Sequence, residues 1–189
     1  GPGQIATRVC GTALAIRQQT EYPRRGRIAL RVEPARAVEF ALKLRVPNWS
    51  RRTRVKLNGV AVEGVRAGEY LVLARRWRRG DRIELELDMS LHYWRGEKEC
   101  CNKVSLFRGP MLLAYDRRHN VMDPAAVPVL DFRGLRGKLA AVDDAIVAVD
   151  FAVDNQRLRL CDFASAGEGG SPYISWLRIK NAPKTDFFR

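Results

Sequence analysis

The stretch FALKLRVPNWSRRTRVKLNGVAVEGVRAGEYLVLARRWRRGDRIELELDM, Phe40 to Met89, decides the fold class. Phe40, Leu42, Leu44 and Val46 alternate with Ala41, Lys43 and Arg45, and Pro47-Asn48 ends the run. Successive side chains of a strand point to opposite faces, so this alternation buries one face and charges the other. Val55 and Leu57 lead into Asn58-Gly59, and Val60 and Val62 return, which predicts a hairpin through a two-residue turn. Tyr70 to Ala74 is a compact apolar run and reads as a strand covered on both faces. Gly80-Asp81 turns the chain, and Ile83, Leu85, Leu87 and Met89 then alternate with Arg82, Glu84, Glu86 and Asp88. Trp49 and Trp77 read as core aromatics, the first plugging one end of the structure and the second beside a hairpin.

The same texture continues outward. Thr12 to Gln19 reads as a strand, and Ile28, Leu30 and Val32 mark another that Pro34 closes. Residues 93–103 are polar and irregular. Val104 to Phe107 and Met111 to Tyr115 flank Arg108-Gly109-Pro110, where a proline demands an edge, a bulge or a break. Ile146 to Phe151, Leu158 to Leu160 and Tyr173 to Ile179 are further strands, with a loop at Gly167 to Pro172. The best helical stretch, Leu135 to Val142, is short. Many short strands with regular turn punctuation predict an all-β, jelly-roll-like β-sandwich, in one or two packed β units. Residues 5–118 form the sandwich on this reading, and residues 119–189 a smaller β unit completing it or packing on it.

At 189 residues and 46% hydrophobic content the chain is one large or two small domains, with enough length to bury a core unaided. No apolar run approaches the roughly 20 residues of a membrane-spanning helix, so a membrane is not an expected partner. Gly1-Pro2-Gly3 resembles a protease-cleavage scar, which sets residues 1–4 apart from the fold. The net charge is +13, carried mostly by arginine clusters such as Arg51, Arg52 and Arg54 or Arg75, Arg76, Arg78 and Arg79. Such charge suits a polyanion. The clusters fall at strand ends and turns without a nucleic-acid fingerprint, so solvated surface is the expected reading and nucleic acid is not the expected partner.

Cys10, Cys100, Cys101 and Cys161 show no CxxC spacing, and His92 and His119 no HExxH, so neither set predicts a metal site. The cysteines do not decide the compartment. Glu97 with Glu99 and Asp143 with Asp144 lie in polar stretches and read as solvated rather than as a catalytic pair. Gly167-Glu168-Gly169-Gly170 lacks the Lys-Ser/Thr of a phosphate loop.

Several pieces in order resemble the β-region of glycoside hydrolase family 127, the β-L-arabinofuranosidase-like enzymes. They are Gln18–Pro34, Leu42–Ser50, Val55–Gly59, Gly68–Met89, Val104–Asp116 and Asp162–Ile179. The resemblance implies that catalysis belongs to an (α/α)6 barrel absent from this chain. That barrel carries a cysteine nucleophile, a glutamate acid/base and a zinc ion held by Cys and Glu. No catalytic, cofactor-binding or metal-binding residue is therefore expected here. The Cys100-Cys101 pair sits in the β-region rather than in the barrel context, so the nucleophile's role is not transferred to it. The implied function is a non-catalytic accessory region, with the parent's own barrel, or a second copy in a homodimer, as partner. The alternative is a free-standing carbohydrate-binding module, for which Tyr93 and Trp94 are the candidate sugar or interface contacts.

Overall fold

The computed structural model describes residues 1–182. The chain divides into two compact units, Gly1–Met89 and Ser90–Arg189. Among the described residues the helical pieces are three-residue 3-10 turns; strands make the rest of the regular structure.

The first unit holds β1 (Gly3–Val9), β2 (Thr12–Thr20), β3 (Arg27–Pro34), β4 (Val38–Arg45), β5 (Arg54–Leu57), β6 (Val60–Ala61), β7 (Tyr70–Trp77) and β8 (Asp81–Glu86). One sheet runs β1-β2-β3-β8-β5-β6, and β4 and β7 form a two-stranded partner sheet. The inward residues of both meet in one core. Leu14, Val32, Val55, Ile83 and Leu85 come from the large sheet, and Leu44, Leu73 and Trp77 from the small one. Two sheets sharing their apolar faces make the predicted β-sandwich.

The Asn58-Gly59 hairpin forms as expected: both residues have positive φ, 51° and 85°, and Leu57 faces Val60. Gly80-Asp81 behaves differently. It joins β7, which pairs with β4, to β8, which pairs with β3 and β5, so the turn changes sheets instead of closing a hairpin. The Tyr70–Ala74 run is not covered on both faces. Leu71 and Leu73 pack in the core, whereas Tyr70 is 57% and Val72 49% exposed. Trp77 is fully buried, and its indole N–H donates to the Phe40 carbonyl at 3.0 Å. Trp49 is only half-buried and stands outside this core. Its position inside the turn that Ser50 N–H closes on the Pro47 carbonyl, rather than on a strand face, leaves it partly exposed. Residues 1–4 are not apart from the fold either: β1 starts at Gly3, which pairs with Gln18.

The second unit holds β9 (Leu91–Arg95), β10 (Lys103–Arg108), β11 (Met111–Asp116), β12 (Leu130–Asp131), β13 (Gly137–Ala140), β14 (Ala148–Val153), β15 (Gln156–Asp162), β16 (Tyr173–Ile174) and β17 (Leu177–Lys180). They join in one sheet in the order β12-β17-β10-β11-β15-β14-β13, with β9 on β10 and β16 on β11. β9 pairs along Val104–Arg108 on one side of β10. The other side is shared, Lys103 and Val104 by β17 and Leu106 to Arg108 by β11. Tyr93, Leu106, Leu113, Tyr115, Phe151, Leu158, Leu160 and Leu177 point to one common core.

Pro110 occupies the second position of a two-residue turn, after Gly109 at φ 53°, with Arg108 facing Met111. A positive-φ glycine first and a residue needing no N–H second suits a tight hairpin, so the proline interrupts neither strand. The boundary between units lies at Met89/Ser90 and not after residue 118. The β10–β11 hairpin pairs only with strands of the second unit, so it belongs there. The residues after 118 begin a long connection inside that unit, from β11 to β12. The irregular reading of 93–103 holds for residues 96–102 and is corrected at Tyr93–Arg95, which end β9; the helical reading of 135–142 is corrected by β13, which pairs with β14.

Candidate functional site

β9 decides what the Tyr93-Trp94 pair can do. Strand alternation sends the two rings to opposite faces. Tyr93 is 2% exposed and meets Phe132 edge-on at 5.0 Å, inside the core. Trp94 is 48% exposed on the other face. Tyr93 is therefore not a surface contact, and the candidate site reduces to Trp94 and its neighbours.

Those neighbours form a cleft of about 590 Å³ lined by Trp94, Ser105, Phe107, Leu112, Phe163 and Trp176, with Glu97 and Ser175 adding polar groups. The register explains it. Trp94 faces Ser105 across β9–β10, and Leu177 faces Val104 across β10–β17, which sets Trp176 beside Ser105 on the opposite flank. A small serine between two tryptophans leaves a trough with aromatic walls. Phe107 and Leu112, a direct cross-strand pair, continue its floor. Sequence reasoning missed Trp176, whose only signal is its place one residue before an inward leucine.

One rim is a tethered loop. Phe163 N–H donates to the Leu112 carbonyl at 2.9 Å, and its ring meets Tyr173 edge-on at 5.8 Å. The loop is held by two fully buried aspartates. Asp162 accepts the backbone N–H groups of Ile146 and Val147 and both the N–H and Oγ of Ser165. Asp116 accepts from Ser171 Oγ at 2.7 Å, from Gly167 N–H at 2.8 Å and from the Arg118 backbone and guanidinium. Burial by itself raises the Asp116 pKa, but these donors outweigh it and hold the carboxyl at about 2. The same carboxylate raises the Arg118 guanidinium above its ordinary value.

The four cysteines are free thiols. Cys161 is fully buried on β15, and its thiol is pushed up to about 12 by burial first and by Asp116 and Asp162 second. Cys100 and Cys101 lie at the turn joining β9 to β10, Cys100 packed where Gly96 leaves room and Cys101 exposed. Among the described residues no three His, Cys, Asp or Glu side chains converge as metal ligands. His92 stacks on Phe107 at 5.4 Å, and His119 Nε2 lies 3.7 Å from Asp144.

The fold matches solved structures closely. A GH127 β-L-arabinofuranosidase from Geobacillus stearothermophilus T6 superposes at TM-score 0.80 with 24% identity, over 94% of this chain and 32% of its own. A protein described as a glycoside hydrolase gives 0.82 and 22%, over 96% and 35%. A GH127 β-arabinofuranosidase gives 0.81 and 21%, over 95% and 34%. At these identities the likeness establishes the fold. Residues 2–89 match the family profile of the β-L-arabinofuranosidase GH127 middle domain, a span that coincides with the first unit.

The first unit is similar to a GH127 middle domain.

No curated protein sequence matches the chain. The chain spans about a third of the length of the solved GH127 relatives it matches. The trough at Trp94 and Trp176 lies in the second unit, beyond the residues that the middle-domain profile covers.

Proposed function

We propose that this chain is the non-catalytic β region of a GH127-type glycoside hydrolase, which supports the parent's catalytic barrel or builds its dimer. The observation that carries this reading is the match of residues 2–89 to a middle domain, in a chain about a third as long as the enzymes it resembles. The local chemistry supports it. Asp116 and Asp162, the two fully buried carboxylates among the described residues, hold a loop in place, and the most deeply buried cysteine is kept protonated. In this reading the nucleophile, acid/base and zinc belong to the barrel. The test compares this chain alone with the parent protein on aryl β-L-arabinofuranosides. Turnover is expected from the parent and none from the chain; a parent inert on aryl glycosides, or a chain that turns over, overturns the reading.

A second reading, a carbohydrate-binding module, is favoured by one feature: Trp94 stands half-exposed beside a trough walled by Trp176. Sugar rings present C–H faces that stack on such rings. Titration of the chain with neutral plant polysaccharides checks it. Binding abolished by Trp94→Ala supports the module, and no binding removes it.

A further inference from the structure

The outward face of the large sheet in the first unit carries a charge arrangement that the accessory role does not explain. β2, β3 and β8 lie side by side, and their register sets Arg17 opposite Arg31 and Arg31 opposite Arg82. Neighbouring strands are roughly 4.8 Å apart, so three guanidinium stems rise from one transverse row. Like charges directly opposite one another destabilise a sheet. The two outer arginines are compensated: Arg17 meets Glu33 at 3.1 Å and Arg82 meets Glu84 at 2.9 Å. The exposed central one, Arg31, makes no ion pair among the described residues.

Beside the row lies a cleft of about 220 Å³ lined by Arg17, Gln19, Ala29, Arg31 and Arg82. Its floor is open because Ala29, a short side chain, stands in register between Gln19 and Glu84. Glu84 itself is occupied by Arg82 and Arg27. The cleft therefore offers one uncompensated guanidinium, two flanking ones and an amide.

We infer that the Arg17–Arg31–Arg82 row is a binding site for a single carboxylate, of the kind an acidic sugar residue in a glycan presents. A guanidinium fork matches a carboxylate with two parallel N–H donors, and an anion over Arg31 removes the repulsion along the row. The surroundings favour an isolated anionic group over an extended polyphosphate. Glu33, Glu84 and Glu86 share this face, and a nucleic-acid backbone crossing it would meet them. That the carboxylate comes from a sugar rests on the hydrolase reading; the site rests on the register and the cleft.

The experiment uses this chain, calorimetric titration and thermal unfolding at fixed ionic strength, and three probes: trigalacturonate, its neutral methyl ester and inorganic phosphate. Arg31→Gln is compared with Arg76→Gln, which removes the same charge from β7 in the other sheet. Trigalacturonate is expected to bind and to raise Tm, and Arg31→Gln to weaken it about tenfold or more, with Arg76→Gln within about twofold. Without ligand, Arg31→Gln is expected to raise Tm by about 1–3 °C, because a repulsive neighbour is gone. Equal weakening by both variants would mean net charge alone and would overturn the site. The methyl ester binding as tightly as the acid would overturn the carboxylate, and phosphate binding as tightly would overturn the sugar. No turnover is measured, so these failures are separate from failure of the hydrolase reading.

Discussion

The side-chain amide of Asn58 donates to the Asp81 carboxylate at 2.8 Å, and the Arg82 N–H returns to the Asn58 side-chain Oδ1 at 2.8 Å. The pair ties the tip of the β5–β6 hairpin to the turn that carries the chain from one sheet of the sandwich to the other. Asp81 also accepts the Arg78 N–H at 2.8 Å. Burial raises its pKa, yet those donors and Arg75 leave it below the ordinary carboxylate value. Asn58→Ala leaves a buried acceptor short of a donor and gives up a residue suited to positive φ. We expect it to cost about 1–3 kcal/mol in urea unfolding. Asp81→Ala and the double variant should show coupling, with the double costing less than the sum of the singles.

Acid sensitivity follows from Asp116. Its folded pKa of about 2 lies below its unfolded value near 3.8, so its contribution is complete above pH 3.8 and fades as pH falls toward 2. The difference amounts to about 2 kcal/mol at neutral pH. Between pH 7 and pH 2.5 the urea midpoint should fall further for the unsubstituted chain than for Asp116→Asn, which has no proton to gain at that position. Equal falls would show that Asp116 is not the responsible group.

Trp77 and Trp49 look alike in sequence and differ in burial. Trp77→Ala empties a fully buried site beside Phe40 and should cost about 3–5 kcal/mol. Trp49→Ala removes a half-buried ring and should cost clearly less. Chemical unfolding of the two variants side by side checks the order.

Thiol reactivity should separate the cysteines. Cys10 and Cys101 are exposed and should label with iodoacetamide in the folded chain. Cys161, buried and with its thiol near 12, should label only after unfolding. Peptide mapping before and after denaturant distinguishes them.

Alternation along Phe40–Met89 was enough to read the strands of the first unit, because apolar residues at every second position have one structural explanation. It could not show which strands pair. Gly80-Asp81 carries the signature of a tight turn whether the chain folds back on its neighbour or crosses to another sheet. Tyr70 and Val72 are apolar yet exposed, so composition alone overstated the cover on β7. β9 was hidden because Leu91–Arg95 mixes buried Tyr93 and His92 with exposed Trp94 and Arg95 over only five residues. Trp94 was legible as a candidate contact. Trp176 and the Arg17–Arg31–Arg82 row were not, since both depend on cross-strand register, which a single sequence does not display.

β10 is bounded along its length by β9 on one side and by β11 and β17 in succession on the other. Its amides donate to neighbours on both sides and none faces an open edge along the paired length, whereas β1, with one partner and exposed residues along nearly its whole length, can fray alone. Native-state hydrogen exchange should therefore rank the strands, with Leu106 and its neighbours near the slow limit set by opening of the second unit and Gly3 to Arg8 near the fast one. The order in which the chain comes apart is thus already written in which strands have company on two sides.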